Sequence, residues 1–274
     1  MLCQRKGAVL RVLHVDEDGH LNLEELKSLL NPKTRIVAVT QISNVLGILN
    51  PVKEIVSICH SAGCPVLIDG AQGMVHEGVD VQDVDCDFYA FSGHKLYAAT
   101  GTGVLYGKRR WLDQMVPYQG GGEMIATVRF SGTTYAPLPE KFEAGTQNIN
   151  AIPTLEPAIE MLKLMKDKEL LNAQEAVSQY LLHALTSNPR IRLYGVPRGT
   201  ETKIPLFSFS VEGAHHEDLA LILYKMGIGQ MCAEPLMDRF GVTGMLRASL
   251  APYNTMEEAE YFIKSLDKAT AMLV

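Results

Sequence analysis

The sequence lacks the features that mark membrane, secreted and nucleic-acid-binding proteins. No apolar run approaches the roughly 18 residues of a membrane span, and Met1–Lys6 does not have the pattern of a signal peptide. No basic block is present, since 25 Lys and Arg stand against 31 Asp and Glu and give a net charge of −6. The composition therefore argues against nucleic acid and anionic membrane surfaces as main partners.

Cysteine is also scarce. The five cysteines are odd in number and form no CxxC pair, so a disulfide framework and the common zinc modules are poor interpretations. The pair Cys59-His60 has no second pair at ligand spacing, and we predict no metal site. What the chain has instead is 274 residues that are 47% hydrophobic and 20% charged, enough for a sizeable core. This combination predicts a reduced, soluble, cytoplasmic enzyme.

Short apolar segments alternate with amphipathic helical patterns in the first two thirds of the chain. Asn22 is a candidate helix cap, and the Asn50-Pro51 pair is typical of another helix start. Strands are predicted at Ala8–Val15, Arg35–Thr40, Pro65–Ile68, Phe88–Phe91 and Gly103–Tyr106. The alternation predicts an α/β fold of βαβ units, with a mostly parallel central sheet covered on both faces.

The pattern of predicted helices and strands changes near residue 150. A helical pattern over Thr154–Lys166 indicates a connector, and the segments beyond it predict a smaller α+β domain. Its predicted elements are Ala173–Leu185, Ile191–Tyr194, Leu206–Val211, His216–Met226, Met245–Leu250 and a last helix capped by Thr255 and Glu258. We therefore expect a large domain over 1–150, a connecting helix over 151–167 and a small C-terminal domain over 168–274.

Two residues at predicted strand ends suggest cofactor chemistry. Lys95, in Ser-Gly-His-Lys, could form a Schiff base with a carbonyl cofactor, and Asp69 could hold a pyridine nitrogen protonated so that the ring becomes an electron sink. Taken singly, Lys95 is more often a solvated surface lysine, and Asp69 is more often a helix cap. Their order and context favour a pyridoxal phosphate site.

Five stretches closely resemble the group II cysteine desulfurases of iron–sulfur assembly, of the class V aminotransferase family, and the related selenocysteine lyases. The stretches are Val66–Gln72, Asp87–Lys95, Phe142–Thr146, Ser43–Gly47 and Leu246–Leu250. The resemblance implies a pyridoxal 5'-phosphate (PLP)-dependent transferase of fold type I, a homodimer that converts L-cysteine to L-alanine. It also implies a protein that accepts the sulfur for iron–sulfur cluster assembly.

The resemblance also assigns roles to residues. It implies that Lys95 is the Schiff-base lysine, that Asp69 pairs with the pyridine nitrogen, and that Arg247 holds the substrate carboxylate. The other implied cofactor contacts are Gln72 and Asn44 beside the phenolic oxygen and substrate, and Ser92, His94 and, from a second subunit, Thr146 at the phosphate. The residues alone leave purely structural alternatives open: a surface ion pair for Arg247 and turn or cap roles for Ser92 and Thr146.

Cys232 decides between reactions. It lies between Gly229 and Pro235 in a stretch without an apolar period, which predicts a loop, and it matches the family's catalytic cysteine, the carrier of the persulfide. Cys3, Cys59, Cys64 and Cys86 lie in or beside apolar segments and are interpreted as structural. The alternatives are a selenocysteine lyase, another PLP-dependent lyase or aminotransferase that does not use the thiol, and a non-catalytic scaffold subunit.

The sequence departs from the family pattern in two places. The family's chain begins well before Met1, and its members carry a short insert where this sequence runs directly from Ile228 to Gly229. Both differences affect segments that border the cofactor in the family. The chain of 274 residues alone is therefore expected to be inactive, and either absent residues or true deletions could account for the gaps.

Overall fold

The chain forms two compact units. The computed structural model describes residues 1–166, 168–198, 203–224, 230–231 and 234–274. The unit that we call central comprises Pro32–Gln41 and Val52–Leu164. The unit that we call flanking comprises Met1–Asn31, Ile42–Pro51 and Met165–Val274. Across the described residues, no helix combines the length and the apolar character needed to cross a bilayer.

The described helices and strands follow one another in mixed order. The helices are α1 Leu2–Lys6, α2 Leu23–Leu29, α3 Val52–Ser61, α4 Gly73–His76, α5 Val81–Val84, α6 Arg109–Leu112, α7 Leu155–Met165, α8 Lys168–Ser187, α9 His216–Tyr224, α10 Glu234–Phe240 and α11 Met256–Leu273. The strands are β1 Val37–Thr40, β2 Val66–Asp69, β3 Phe88–Ser92, β4 Gly103–Gly107, β5 Ile125–Arg129, β6 Gly132–Tyr135, β7 Ile191–Tyr194, β8 Leu206–Val211, β9 Gln230–Met231 and β10 Met245–Ser249.

The central unit is built on a mostly parallel sheet, as the sequence predicts. Its strand order is β1-β2-β3-β4, with β1, β2 and β3 parallel and β4 antiparallel to β3. The helix α3 connects β1 to β2 and buries Val52, Ile55, Val56 and Cys59, the face that the i, i+3, i+4, i+7 spacing predicts. Gly63 follows the end of α3 and has a left-handed φ of 69°, as is typical of a glycine that ends a helix.

The flanking unit is an α+β layer pair. Its antiparallel sheet has the order β7-β8-β10-β9, and α8, α9 and α11 pack on it. Phe209 of β8 meets Phe262 of α11 edge to face, with ring centroids 6.2 Å apart. The predicted capping box is present, because Thr255 and Glu258 exchange side-chain and backbone hydrogen bonds at the start of α11. The α+β character predicted for the segments after residue 167 is therefore present, whereas the predicted domain bounds 1–150, 151–167 and 168–274 stay a prediction.

Two strand predictions need correction. Ala8–Val15 is not a strand: Val9 and Leu10 are 81% and 72% exposed, and the segment's β pairing in the described chain is one isolated bridge at Val15. The apolar run alone supplied the prediction, but a strand needs a partner for its backbone groups. Arg35–Thr40 shortens to β1 and is not buried, because β1 lies at an edge of the described sheet.

Candidate active site

Two neighbouring strands of the central sheet end in candidate residues. Asp69 is the last residue of β2, and Ser92 is the last residue of β3. These strands run parallel, with Asp69 opposite Ala90, so their carboxyl ends meet the same edge of the sheet. Open parallel sheets bind ligands at this edge.

The chain turns tightly after β3. Gly93–Leu96 is a short 3-10 helix, which carries His94 and Lys95. The Gly93 N–H donates to the carbonyl of Thr102 at 2.9 Å, and a β-carbon at Gly93 would lie 2.2 Å from the Thr102 hydroxyl oxygen. Because a larger residue would push this turn away, glycine keeps the lysine-bearing segment against the start of β4.

Most polar side chains at this edge of the sheet make no hydrogen bond or ion pair within the described part of the chain. Among the described residues, the side chains of Ser92, His94 and Lys95 make no hydrogen bond or ion pair. One carboxylate oxygen of Asp69 accepts the Ala71 N–H at 2.9 Å, which leaves the other without a described partner. Asp69 and His94 are exposed, and Lys95 is half-buried. A carboxylate oxygen, an amine, a hydroxyl and an imidazole are thus available to a ligand.

This set of groups fits PLP. A phosphate takes hydroxyl and imidazole donors, a protonated pyridine nitrogen takes a carboxylate, and an aldehyde takes an amine. The site residues predicted in the central unit therefore offer one chemical partner for each of these groups of PLP. A metal centre has no such support, because no cluster of three or more His, Cys, Asp or Glu in the described part of the chain could hold an ion.

Gln72 lies at the start of α4, in a loop that two further residues hold in place. The buried side chain of Gln41 accepts the Tyr89 hydroxyl at 2.6 Å and donates to the Gly78 carbonyl at 3.2 Å. A β-carbon at Gly73 would lie 2.1 Å from the Gln41 side-chain oxygen. The hydrogen-bonded pair of Gln41 and Tyr89 was not identified from the sequence, although Gln41 directly follows β1 and so reaches the same edge of the sheet as Asp69.

Gly70 offers a test of how tightly this loop packs. A β-carbon at Gly70 would lie 1.9 Å from the ring of Tyr89, so Gly70→Ala is expected to lower stability by about 1–3 kcal/mol through overpacking. Thermal unfolding of the full-length protein measures the change. Gly122→Ala is the matched control, because its β-carbon meets nothing within 4 Å. Equal melting temperatures for the two variants would contradict the packing described here.

Two predicted substrate residues lie in the flanking unit. Arg247, on β10, donates from Nη1 to the backbone carbonyl of Asn44 at 2.8 Å. Partial burial lowers the pKa of Arg247, although a guanidinium stays charged in proteins. Its other N–H groups make no described hydrogen bond, so they are free to hold a carboxylate. The Asn44 side chain is exposed.

Thr146 is an exposed residue of the central unit. It follows Gly145, whose φ is 74° and whose N–H donates to the Gly122 carbonyl at 2.9 Å. Within the described residues, the Thr146 hydroxyl has no hydrogen-bond partner. The side chain is therefore available to a ligand or to another chain, and the predicted contact with a second subunit's phosphate stays a prediction.

Four of the five cysteines lie in the described residues, and one of these, Cys3, is a partly exposed thiol on α1. Cys59, Cys64 and Cys86 are buried free thiols; burial raises the pKa of Cys59 to about 11 and raises the pKa of the other two. A raised pKa keeps a thiol protonated and poorly nucleophilic, in keeping with the structural role that the sequence predicts. Cys232, the predicted catalytic cysteine, lies outside the described residues, as do Ile228 and Gly229.

Comparisons with known proteins place this geometry in context. The family model described as aminotransferase class-V matches residues 1–262. A curated cysteine desulfurase of Enterobacter sp. (strain 638) is 45% identical over 278 residues, which include 100% of this chain and 68% of that protein. A curated cysteine desulfurase of Cronobacter sakazakii is 43% identical with the same coverage.

Solved structures agree with these relatives. The cysteine desulfurase CsdA of Escherichia coli, in an S-sulfonic acid form, matches 100% of this chain and 68% of its own, with a TM-score of 0.89 and 38% identity. The apo cysteine desulfurase of Thermococcus onnurineus NA1 matches with a TM-score of 0.90 and 31% identity, over 99% of this chain and 68% of its own. The predicted PLP-dependent type I fold is therefore confirmed by structures of the same class.

Proposed function

Since the chain belongs to the class-V aminotransferase family, we propose that it converts L-cysteine to L-alanine as a cysteine desulfurase and holds the sulfur as a persulfide. The observation that supports this most directly is the sheet edge at the ends of β2 and β3. There, Asp69 and the turn that carries Ser92, His94 and Lys95 present polar groups that the protein itself leaves unused.

Enzymes of this class depend on PLP, which supplies an aldehyde for the substrate amine and a ring that stabilises negative charge at the substrate's α-carbon. We assign the aldehyde to Lys95 and the pyridine nitrogen to Asp69. The phosphate is assigned to Ser92, His94 and Thr146, and the phenolic oxygen to Gln72 and Asn44. These assignments extend the chemistry of the donor set and give every unused group a partner.

Lys95 has a second task in this proposal. The residue is half-buried and its amine has no described partner, so the amine is free to remove the proton from the substrate's α-carbon and to return a proton later. A positioned general base or acid contributes about 10²- to 10⁴-fold to a rate. The neighbouring Gly93, fixed against Thr102, keeps the backbone of the lysine-bearing turn in place.

Arg247 and Asn44 orient the substrate. A planar guanidinium binds a carboxylate with two charge-assisted hydrogen bonds. In Arg247 only Nη1 donates to the Asn44 carbonyl, which leaves the other N–H groups for a carboxylate. The half-buried position strengthens such a pair, since water competes less there. We therefore assign the L-cysteine carboxylate to Arg247.

Sulfur transfer is assigned to Cys232. The Cys232 thiolate attacks the substrate sulfur, an S–S bond forms as the substrate's Cβ–S bond breaks, and the carbon product leaves as L-alanine after it takes up a proton. The three buried thiols are poor alternatives because their raised pKa values keep them protonated. The persulfide sulfur then passes to an acceptor protein or to an added reductant.

Substitution at Cys232 tests the proposed reaction. In the full-length protein supplied with PLP and dithiothreitol, Cys232→Ser is expected to lower sulfide and alanine formation from L-cysteine by about 100-fold or more, in line with loss of a positioned reacting group. Cys59→Ser is a control at a buried thiol. If Cys232→Ser makes alanine at the wild-type rate, the enzyme is an aminotransferase or lyase that does not use the thiol, and the proposal is wrong.

We also propose a homodimer, a sulfur-acceptor protein and a cytoplasmic location. The exposed and unpartnered hydroxyl of Thr146 supports a contact with a second copy, and the free thiols of Cys3, Cys59, Cys64 and Cys86 suit a reducing compartment. Sedimentation equilibrium of the full-length protein tests the dimer, with a monomer as the contrary result. Cell fractionation tests the location.

A further inference from the structure

The loop Ser43–Gly47 of the flanking unit, which carries Asn44, is held along four successive carbonyl groups. Each of these carbonyls accepts a hydrogen bond from a residue in the C-terminal part of the same unit. The four bonds are Arg247 Nη1 to Asn44 at 2.8 Å, Ser208 Oγ to Val45 at 2.5 Å, Lys203 Nζ to Leu46, and Ile204 N–H to Gly47 at 2.9 Å. The backbone of this turn is therefore held at every carbonyl from Asn44 to Gly47.

The strand register explains how two of these donors reach adjacent carbonyls. Ser208 of β8 lies directly opposite Arg247 of β10 in the antiparallel ladder. Side chains at opposite positions of such a ladder project from the same face of the sheet. The two side chains therefore stand side by side and bind the carbonyls of Asn44 and Val45.

Packing fixes the other side of the loop. Val45, Leu46 and Ile48 are 5%, 1% and 2% exposed. They form one apolar cluster with side chains of the C-terminal part of the unit, namely Tyr194, Met237, Phe240 and Met245. Packing of these neighbours therefore restrains the backbone at Asn44, while the Asn44 residue itself stays exposed.

Lys203 is an unusual donor for this purpose. Burial lowers the pKa of Lys203 to about 7, and its amine lies 5.8 Å from the ring centroid of Phe207. Among the described residues, no carboxylate pairs with it, and the Leu46 carbonyl is its hydrogen-bond acceptor. Burying an amine here costs free energy that a methionine of similar length would not cost. The hydrogen bond to the Leu46 carbonyl explains why a lysine occupies this buried position.

We infer that Lys203 and Ser208 are positioning residues, which fix the Ser43–Gly47 loop so that Asn44 and Arg247 keep the geometry that binds the substrate. The inference rests on the proposed function for the identity of the substrate, an α-amino acid carboxylate. Neither residue touches the substrate or cofactor in this scheme, and each acts through a loop carbonyl.

The test uses the full-length holoenzyme and four variants. Ser208→Ala and Lys203→Met remove the two donors, whereas Lys203→Arg retains a donor at the same site. Ser210→Ala is the matched control, because Ser210 is also on β8 but its hydroxyl contacts Tyr194 at 3.0 Å and not the loop. Amide hydrogen exchange of a peptide covering residues 43–49 reports the loop directly. The dissociation constant of L-alanine, with kcat and KM for L-cysteine, reports its consequence.

The loss of one hydrogen bond sets the expected size. In Ser208→Ala and Lys203→Met, exchange in the loop peptide should be about 3- to 10-fold faster, and the L-alanine dissociation constant and KM should rise by a similar factor. The value of kcat should stay within about twofold, because these residues do not touch the reacting atoms. Ser210→Ala should behave as wild type, and Lys203→Arg, which keeps a donor but buries a larger and permanently charged group, should lie between wild type and Lys203→Met. If Ser208→Ala does not fold, Lys203→Met carries the test.

Several results would overturn the inference. They are wild-type exchange in both donor variants, faster exchange with unchanged L-alanine binding, or an equal effect from Ser210→Ala. Failure of the proposed function looks different. In that case the wild-type holoenzyme forms no sulfide from L-cysteine, while loop exchange and L-alanine binding still show whether Lys203 and Ser208 position the loop.

Discussion

Lys95→Ala is expected to abolish turnover of L-cysteine and to remove the visible absorbance of a lysine-bound cofactor. The amine is the group that the proposal uses twice, to hold PLP and to move the substrate's α-proton. Loss of the proton transfer alone costs about 10²- to 10⁴-fold, and loss of covalent attachment adds to it. We therefore expect at least about a 10³-fold decrease in kcat/KM for L-cysteine.

The measurement combines steady-state kinetics with intact mass. Borohydride reduction of the wild-type full-length protein should add one phosphopyridoxyl increment that peptide mapping places at Lys95, and the variant should show none. Lys95→Arg separates charge from chemistry, since it retains the positive charge but supplies no amine of the required reactivity. Lys53→Ala is a control at an exposed lysine that pairs with Asp83 in the same unit.

Contrary results are easy to identify. An increment that maps to another lysine would move the cofactor site away from the end of β3 and would contradict the assignment. Wild-type turnover in Lys95→Ala would contradict both roles. A protein that gains no increment at any lysine would favour the scaffold alternative, in which the fold persists without cofactor binding.

The strand ends that carry the candidate residues were easier to predict from the sequence than the whole fold, while the roles of those residues stay a prediction. Asp69 and Lys95 could be placed at strand ends because β2 and β3 are short apolar segments that stop at polar and glycine residues. The helix α3 and the capping box at Thr255 were equally accessible, since they rest on local spacing alone. Local signals of this kind do not depend on distant parts of the chain.

Contacts between distant residues could not be predicted in the same way. Ser208 lies opposite Arg247 only because β8 and β10 pair in one particular register, and Lys203 contacts Leu46 across 157 positions of the sequence. Ala8–Val15 shows the opposite error, because an apolar run predicts a strand only where a partner strand exists. In each case, the missing information is tertiary.

Nothing in the sequence indicates that Asp87 is important for stability, since this residue enters the sequence patterns only as the first residue of the stretch Asp87–Lys95. Its carboxylate is fully buried at the amino end of β3 and accepts four hydrogen bonds. The donors are His60 Nε2 at 2.7 Å, the Val66 N–H at 2.9 Å, Arg110 Nη2 at 2.7 Å and Trp111 Nε1 at 2.7 Å. This carboxylate therefore ties α3, β2 and α6 to β3.

Asp87→Asn is expected to lower the free energy of unfolding by about 3–5 kcal/mol, the range for breaking a buried and hydrogen-bonded charge pair. An amide offers one acceptor oxygen where the carboxylate offers two, so two of the four donors lose their partner. Urea unfolding followed by the fluorescence of Trp111, the one tryptophan of this chain, measures the change next to the substitution. Asp83→Asn, at an exposed pair with Lys53, should cost no more than about 1 kcal/mol.

The pH dependence of this difference gives an independent check. Burial raises the pKa of Asp87, but the hydrogen bonds from His60, Trp111 and Arg110 outweigh it and hold the pKa far below its usual range. A carboxyl whose pKa is lower in the folded state stabilises the fold above its unfolded pKa of about 3.9 and loses that contribution as the pH falls below it. The difference in unfolding free energy between wild type and Asp87→Asn should therefore narrow as the pH falls below about 4. A gap that widens toward acid would contradict this account.

The position of Asp87 also separates stability from chemistry. It lies at the amino end of β3, whereas Ser92 is the last residue of the same strand and the turn with Lys95 follows it. Below its own unfolding transition, Asp87→Asn should therefore still gain the borohydride-fixed increment at Lys95. Loss of the increment in a folded Asp87→Asn protein would show that the two ends of β3 are coupled, and the strand could no longer be treated as a rigid support for the site.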